Sequence, residues 1–296
     1  MSEAPEWFLY MSQYRMPLAD FVSRAQAAEA GGFDGVAFFD HLETPGMPSA
    51  PVWEAMGIAT WIAAKTDRIK VGHLVLCDAL RHPAVLAKQA VTLSEASGGR
   101  FELGLGAGSM PKELAKFGLR TGDATHRIER LEHDLGLIKE YWGIGGATER
   151  TQAPEPSHPI PIVIGGSGPR TLDVVRRHAD WWNLPAPLAD RLPEFLPSIG
   201  TARPSVQQMV GFARRGSDPN EVAETSLRRW GHLGAGLVCG DADELVRHFT
   251  RLSDQGAQRF YVWFADSAQP EAIEEFGDSV IGAFRATGSD APAARA

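Results

Sequence analysis

Eight short apolar runs, most of them followed by apolar residues at helical spacing, set the narrowest limit on how this chain folds. The runs lie at 7–11, 35–39, 69–77, 101–105, 160–164, 181–183, 206–212 and 259–265. The run at 160–164 holds only isoleucine, valine and proline, as expected of a strand buried on both faces. Between runs, Leu18, Phe21, Val22, Ala25 and Ala28 recur at the helical period, as do Ile128, Leu131, Leu135, Ile138 and Trp142. Glycine pairs at 31–32 and 98–99 stop helices. Strand–helix alternation implies a parallel sheet, and eight such units imply an α/β fold closed as a (β/α)8 TIM barrel. An open doubly wound sheet is the weaker alternative, because no dinucleotide fingerprint stands near the start. Two stretches leave the pattern. Residues 109–122 read as an irregular excursion after strand four. From 185 to 237, Pro185, Pro187, Pro193, Pro197 and Pro204 break it, and 219–232 read as a polar helical insertion after strand seven. The barrel is expected to be one domain over 1–286, with a disordered tail of small and polar residues at 287–296.

The totals narrow the function. A formal charge of −8, with basic residues clustered only in pairs, argues against nucleic acid and anionic membrane surfaces as partners. Two cysteines, Cys77 and Cys239, build no disulfide framework and suit a reducing cytoplasm. No apolar run approaches the roughly 18 residues of a membrane span, and no basic segment leads into an apolar one at the start. The expectation is a cytoplasmic protein acting on a small molecule.

Barrels of this kind carry their active sites at the C-terminal ends of the strands. That rule picks out 11–13, 40–41, 74–77, 106–109, 165–167, Asn183 and Asp266. Only Asp40-His41 is an acid/base-capable pair: a histidine beside a carboxylate can move a proton near neutral pH. The alternative is that Asp40 caps the next loop and His41 is an ordinary exposed residue. Gly165, Gly166, Ser167 and Gly168 let the backbone turn tightly before Pro169 opens a helix. Exposed amides there, aided by the helix dipole, make an anion site, against the plainer reading of a turn with no ligand. It is neither a P-loop nor a full dinucleotide motif, since Thr171 stands where a third glycine would. His73, Cys77 and His82 suggest a metal only weakly, because no carboxylate or second cysteine joins them. Glu102 alternates with Phe101 and Leu103 and is expected to enter the barrel lumen as part of a charged layer.

Several motifs together resemble the bacterial luciferase-like superfamily of flavin and deazaflavin oxidoreductases, over nearly the whole chain. They span 32–41, 66–72, 81–88, 97–108, 162–166 and 179–183. A single Asp-His after strand two looks like the branch using the deazaflavin coenzyme F420, where FMN-using members more often show Glu-His-His. The resemblance implies hydride transfer between F420 and a small organic substrate. It places Asp40 and His41 near the reactive ring, His41 as proton relay. It makes Leu74-Val75 a bulge behind the ring, in some members with a non-proline cis peptide. It sets Gly106, Ala107 and Gly108 beside the ring, and Gly165, Gly166 and Ser167 on the phosphate. Arg170, Arg176 and Arg177 are our own assignment for the cofactor's acidic tail. Members often form dimers, so a homodimer is among the expectations. In the sugar-phosphate dehydrogenase members a catalytic Glu follows the strand-four glycines, whereas Ser109 stands there in this chain, which argues against that substrate and mechanism. The alternatives are an FMN-dependent monooxygenase and a non-catalytic flavin-binding relative.

Overall fold

The computed structural model describes residues 4–119 and 122–289. The chain begins with β1 (Glu6–Met11), α1 (Leu18–Ala30), β2 (Gly35–Phe38), α2 (Ala55–Ala63), β3 (Lys70–His73), β4 (Leu76–Cys77) and α3 (Pro83–Ser97). It continues through β5 (Leu103–Gly106), α4 (Pro111–Lys116), α5 (Ala124–Tyr141), β6 (Ile162–Gly165), α6 (Pro169–His178), β7 (Trp181–Leu184), α7 (Leu192–Phe195) and β8 (Arg203–Phe212). The last elements are α8 (Pro219–Trp230), β9 (Leu237–Gly240), α9 (Ala242–Asp254), β10 (Arg259–Phe264), α10 (Pro270–Phe276) and α11 (Gly282–Ser289).

The strands run parallel in the order β3-β2-β1-β10-β8-β7-β6-β5-β4, and a parallel bridge from Val71 to Phe101 joins the two ends. β3 and β4 are halves of one barrel strand, so the ring has the eight positions that the sequence predicts. Side chains alternate across each strand. Phe8 and Tyr10 of β1 join Ala37, Phe39, Val163, Trp181 and Tyr261 in the lumen. Trp7, Leu9 and Met11 face the surrounding helices, where Trp7 meets the Phe249, Phe260 and Phe276 rings at 4.9, 4.9 and 5.9 Å. Each such buried side chain contributes roughly 1.5–3 kcal/mol of burial energy.

The structure alters four expectations. The run at 69–77 is not one strand: it breaks at the Leu74-Val75 peptide, which is cis. Unbroken alternation would put His73 and Cys77 on one face. Instead His73 packs between the Phe38 and Phe101 rings behind the sheet, and Cys77 borders the mouth of the barrel. The excursion at 109–122 is not irregular throughout, since Pro111 starts the helix α4 within it. A strand the pattern did not show, β9, begins where the blurred region ends and pairs with residues 209–212 of β8 just past the point where β7 ends. α11 runs to Ser289, and the rest of the expected tail lies outside the described residues. No helix among the described residues is long and apolar enough to cross a membrane.

Candidate active site

β2 delivers Phe39, Asp40 and His41 to the barrel mouth, and a buried carboxamide holds them in line. Gln13 Nε2 donates to the Phe39 carbonyl at 2.6 Å, and the Phe39 amide donates back to Gln13 Oε1 at 3.0 Å. Asp40 then turns away from solvent. Its Oδ2 accepts from the Cys77 amide at 2.8 Å and from Arg81 Nη1 at 2.5 Å, while Oδ1 accepts from Arg81 Nη2 at 3.1 Å. Arg81 also pairs with Glu54. A two-pronged guanidinium–carboxylate pair is both strong and directional. Asp40 therefore braces the end of β2 against β4, on the far side of the bulge.

His41 has a different partner, one that the sequence reading missed. Glu113, in the first turn of α4, places Oε2 at 2.8 Å from His41 Nδ1. Its Oε1 accepts from the amides of Leu42 at 2.5 Å and Glu43 at 3.1 Å. The Glu113 side chain is 6% exposed and that of His41 is 19% exposed, and both line the cavity described below. An ionised carboxylate only accepts, so Nδ1 is the donor in this bond, and Nε2 makes no hydrogen bond among the described residues. A second ion pair, Lys116 with Glu43, ties α4 to the same loop. The available signal was Pro111 followed by an acidic residue in the first turn, a helix start inside the excursion.

The bulge meets bare backbone. A Cβ on Gly104 would stand 1.8 Å from the His73 carbonyl oxygen, and one on Gly106 would stand 2.6 Å from Val75 Cγ2. Only glycine lets β5 approach the bulge this closely. At Gly165 a Cβ would meet nothing nearer than Val75 Cγ1 at 3.9 Å. Above this floor lies a cavity of about 440 Å³, lined among others by Tyr10, Asp40, His41, Leu74, Val75, Cys77, Gly106, Ala107, Gly108, Gly165 and Thr171. Burial pushes the Cys77 thiol up to about 11, which makes it a wall rather than a nucleophile.

Gly166, Ser167 and Arg170 are not among the lining residues. Gly166 has φ of 121°, its amide donates to the Asn183 carbonyl at 3.2 Å, and its own carbonyl accepts from Trp182 Nε1 at 2.7 Å. Arg170 is exposed on the first turn of α6, while Arg176 and Arg177 pair with Asp173 and Glu132. The cation that does line the cavity is Arg127, near the start of α5. Its Nη1 donates to the Gly122 carbonyl at 3.0 Å, and its buried Nε has no partner among the described residues. Among the described residues no carboxylate pairs with it, and α6, whose Thr171 lines the same cavity, opens with no side-chain cap on its first amides. Cation, uncapped amides and glycine floor together suit a flat ring bearing an anionic tail. Among the described residues no three His, Cys, Asp or Glu gather as metal ligands. His73 Nε2 is spent on the Ala55 carbonyl at 3.2 Å, and His82 caps α3.

Known proteins share this architecture. The F420-dependent glucose-6-phosphate dehydrogenase of Kineococcus radiotolerans is 34% identical over 178 residues, which is 55% of this chain and 50% of that protein. The protein of the same description from Microbacterium testaceum is 33% identical over 281 residues, 85% of this chain and 82% of the relative. The chain thus spans about half the length of several curated relatives it matches. Among solved structures, an F420-dependent secondary alcohol dehydrogenase in complex with an F420-acetone adduct superposes with TM-score 0.82 at 16% identity, over 94% of this chain and 99% of that one. The EDTA monooxygenase from a Chelativorans species gives 0.77 at 15%, over 97% and 95%. At such identities these likenesses establish the TIM-barrel fold alone. The family model described as luciferase-like monooxygenase matches residues 4–202, from β1 to the eve of β8, and with well over half of its length so matched the chain belongs to that family.

Proposed function

We propose that this protein is an oxidoreductase that moves a hydride between the deazaflavin coenzyme F420 and a small organic substrate. The observation that carries the reading is the cavity of about 440 Å³ with a glycine-and-valine floor, lined both by His41 and by an arginine, Arg127, that no described carboxylate pairs with. The names of the relatives that align with this chain support the choice of cofactor. When bound, the deazaflavin supplies the hydride donor or acceptor. The protein supplies the rest. Val75 and the bare backbone at Gly106 and Gly165 would support one face of the ring and keep water from it. Arg127 and the first amides of α6 would hold an anionic tail. His41 would take or give the substrate proton at Nε2, with Glu113 fixing the ring through Nδ1. Ser109 lines the same cavity, but it carries no carboxylate, and Glu113 enters from one helical turn further on.

Anaerobic titration of the purified protein with F420 and with FMN tests this. The expected outcome is a Kd of roughly micromolar order for F420 and much weaker FMN binding. Turnover with a panel of secondary alcohols should then bleach the oxidised cofactor's visible absorbance. Binding of FMN alone, with oxygen uptake once it is reduced, would overturn the cofactor assignment in favour of a monooxygenase.

A further inference from the structure

The barrel mouth holds a second cavity, of about 390 Å³, between the ends of β1 and β10. Tyr10 lines both cavities, so the two meet at that ring. The walls are aromatic: Trp263 stands edge-on to Tyr10 at 5.4 Å and lies against Trp230 at 5.3 Å. The Trp230 indole is fixed by a bond from Nε1 to the Ala265 carbonyl at 3.2 Å. Of the charged groups on this wall, Arg24 and Asp20 pair with each other at 3.2 Å. Arg15 is exposed, and no described residue offers it a carboxylate.

The backbone around this cavity is strained. Arg15, Ser267 and Ala268 have φ of 54°, 71° and 56°, and they are the three non-glycine residues at positive φ among the described residues. All three border this cavity. Such conformations are costly and persist where the surroundings enforce them, often at ligand sites. Here the Arg15 amide is held by the Pro51 carbonyl at 3.0 Å, and the Ser267 carbonyl by Arg24 Nε at 3.1 Å.

We propose that this second cavity is the substrate subsite, and that it takes a planar aromatic acid, with the ring against the wall formed by Tyr10, Trp263 and Trp230 and the acid group on Arg15. This rests on the hydride-transfer reading for the cavity next to it. Rings pack well on edge-on and tilted aromatic walls, and a guanidinium without a carboxylate of its own recognises one from outside. The shared Tyr10 puts a molecule bound here beside the glycine floor.

Calorimetric titration with 2-naphthoate and neutral 2-naphthol, on the protein alone and saturated with F420, tests the proposal. The naphthoate should bind with and without F420. Arg15→Gln should weaken naphthoate about tenfold and leave 2-naphthol unchanged. Arg15→Gly, which relieves the positive φ, should unfold at higher urea yet bind naphthoate as poorly as Arg15→Gln. Equal naphthoate affinity in wild type and both variants would overturn the proposal, as would displacement of naphthoate by F420 or absence of naphthoate binding. The F420 titration of the same sample separates the two readings. Cofactor binding without naphthoate binding ends the subsite alone, and naphthoate binding without F420 binding ends the cofactor assignment.

Discussion

The pairing of His41 with Glu113 makes one carboxylate responsible for two tasks. It fixes the imidazole and it absorbs the amides of Leu42 and Glu43. Glu113→Gln keeps acceptors for the amides but no longer prefers the Nδ1–H tautomer. Turnover should drop about 10- to 100-fold with little change in the cofactor Kd, while His41→Gln should cost about 10²-fold or more. Steady-state kinetics beside cofactor titration checks both, and equal turnover in Glu113→Gln and wild type would sink the role of the carboxylate. Asp78 presents a second residue-scale case. It is 3% exposed, accepts from Arg130 Nε at 2.8 Å and lies beside the Asp134 carboxyl. Burial and the Asp134 carboxyl outweigh Arg130 and push Asp78 up to about 6 from an ordinary value near 3.8. The unfolded chain then releases this proton first, so stability falls as pH rises from about 4 through about 6. Asp78→Asn should therefore gain on wild type between pH 4 and 8, by roughly 1–2 kcal/mol in urea melts.

At the scale of elements, Asp40 joins β2 to β4 across the bulge, and Gly106 on β5 fits beneath Val75. Asp40→Ala leaves Arg81 buried beside Glu54 alone and should cost about 3–5 kcal/mol. Gly106→Ala places a Cβ 2.6 Å from Val75 Cγ2, which must shift into the cavity. Cofactor affinity should fall more in Gly106→Ala than stability does, about 1–3 kcal/mol. These parts differed in how well the sequence showed them. The barrel was legible because 160–164 and its fellows are buried on both faces, and such strands have only one apolar pattern to follow. The cavity floor was legible because close backbone approach leaves only glycine. Glu113 and Arg127 were not, because a charged residue one turn into a helix looks like an ordinary solvated face until the helix is placed. Asp40 was found but its partners were not. The sequence reading set it near the ring with His41, whereas in the structure it also braces Arg81 and the Cys77 amide, contacts that cross long sequence separations.

On the whole molecule, charge is divided between the two ends of the barrel. The C-terminal mouth carries the two cavities that meet at Tyr10, and the N-terminal floor is closed by an ion network set among aromatic rings. Arg259, wholly buried, donates to Glu6 at 2.5 Å and to Glu102 at 2.5 and 2.9 Å, and its guanidinium lies 3.7 Å from the Trp181 ring centre and 4.1 Å from that of Phe8. Lys70 reaches Glu6 at 3.1 Å and Glu102 at 3.5 Å, so Glu102 enters the charged layer its alternation predicts. Burial works to raise the Glu6 carboxyl, but Arg259 and Lys70 more than offset it and hold Glu6 below its ordinary value. That stability is present above the ordinary carboxylate range and is lost as pH falls through the lowered value. Arg259→Met removes the central cation and leaves the Glu6 and Glu102 carboxylates to share Lys70. It should cost about 3–5 kcal/mol at pH 7, with a smaller loss at pH 4, where Glu6, no longer lowered by Arg259, can take up a proton. Because this floor is at the opposite end of every strand from Val75 and His41, the F420 Kd of the folded Arg259→Met protein should match wild type. A variant that kept its stability but lost cofactor binding would mean that the floor sets the geometry of the mouth, and that the two ends of the barrel are mechanically one.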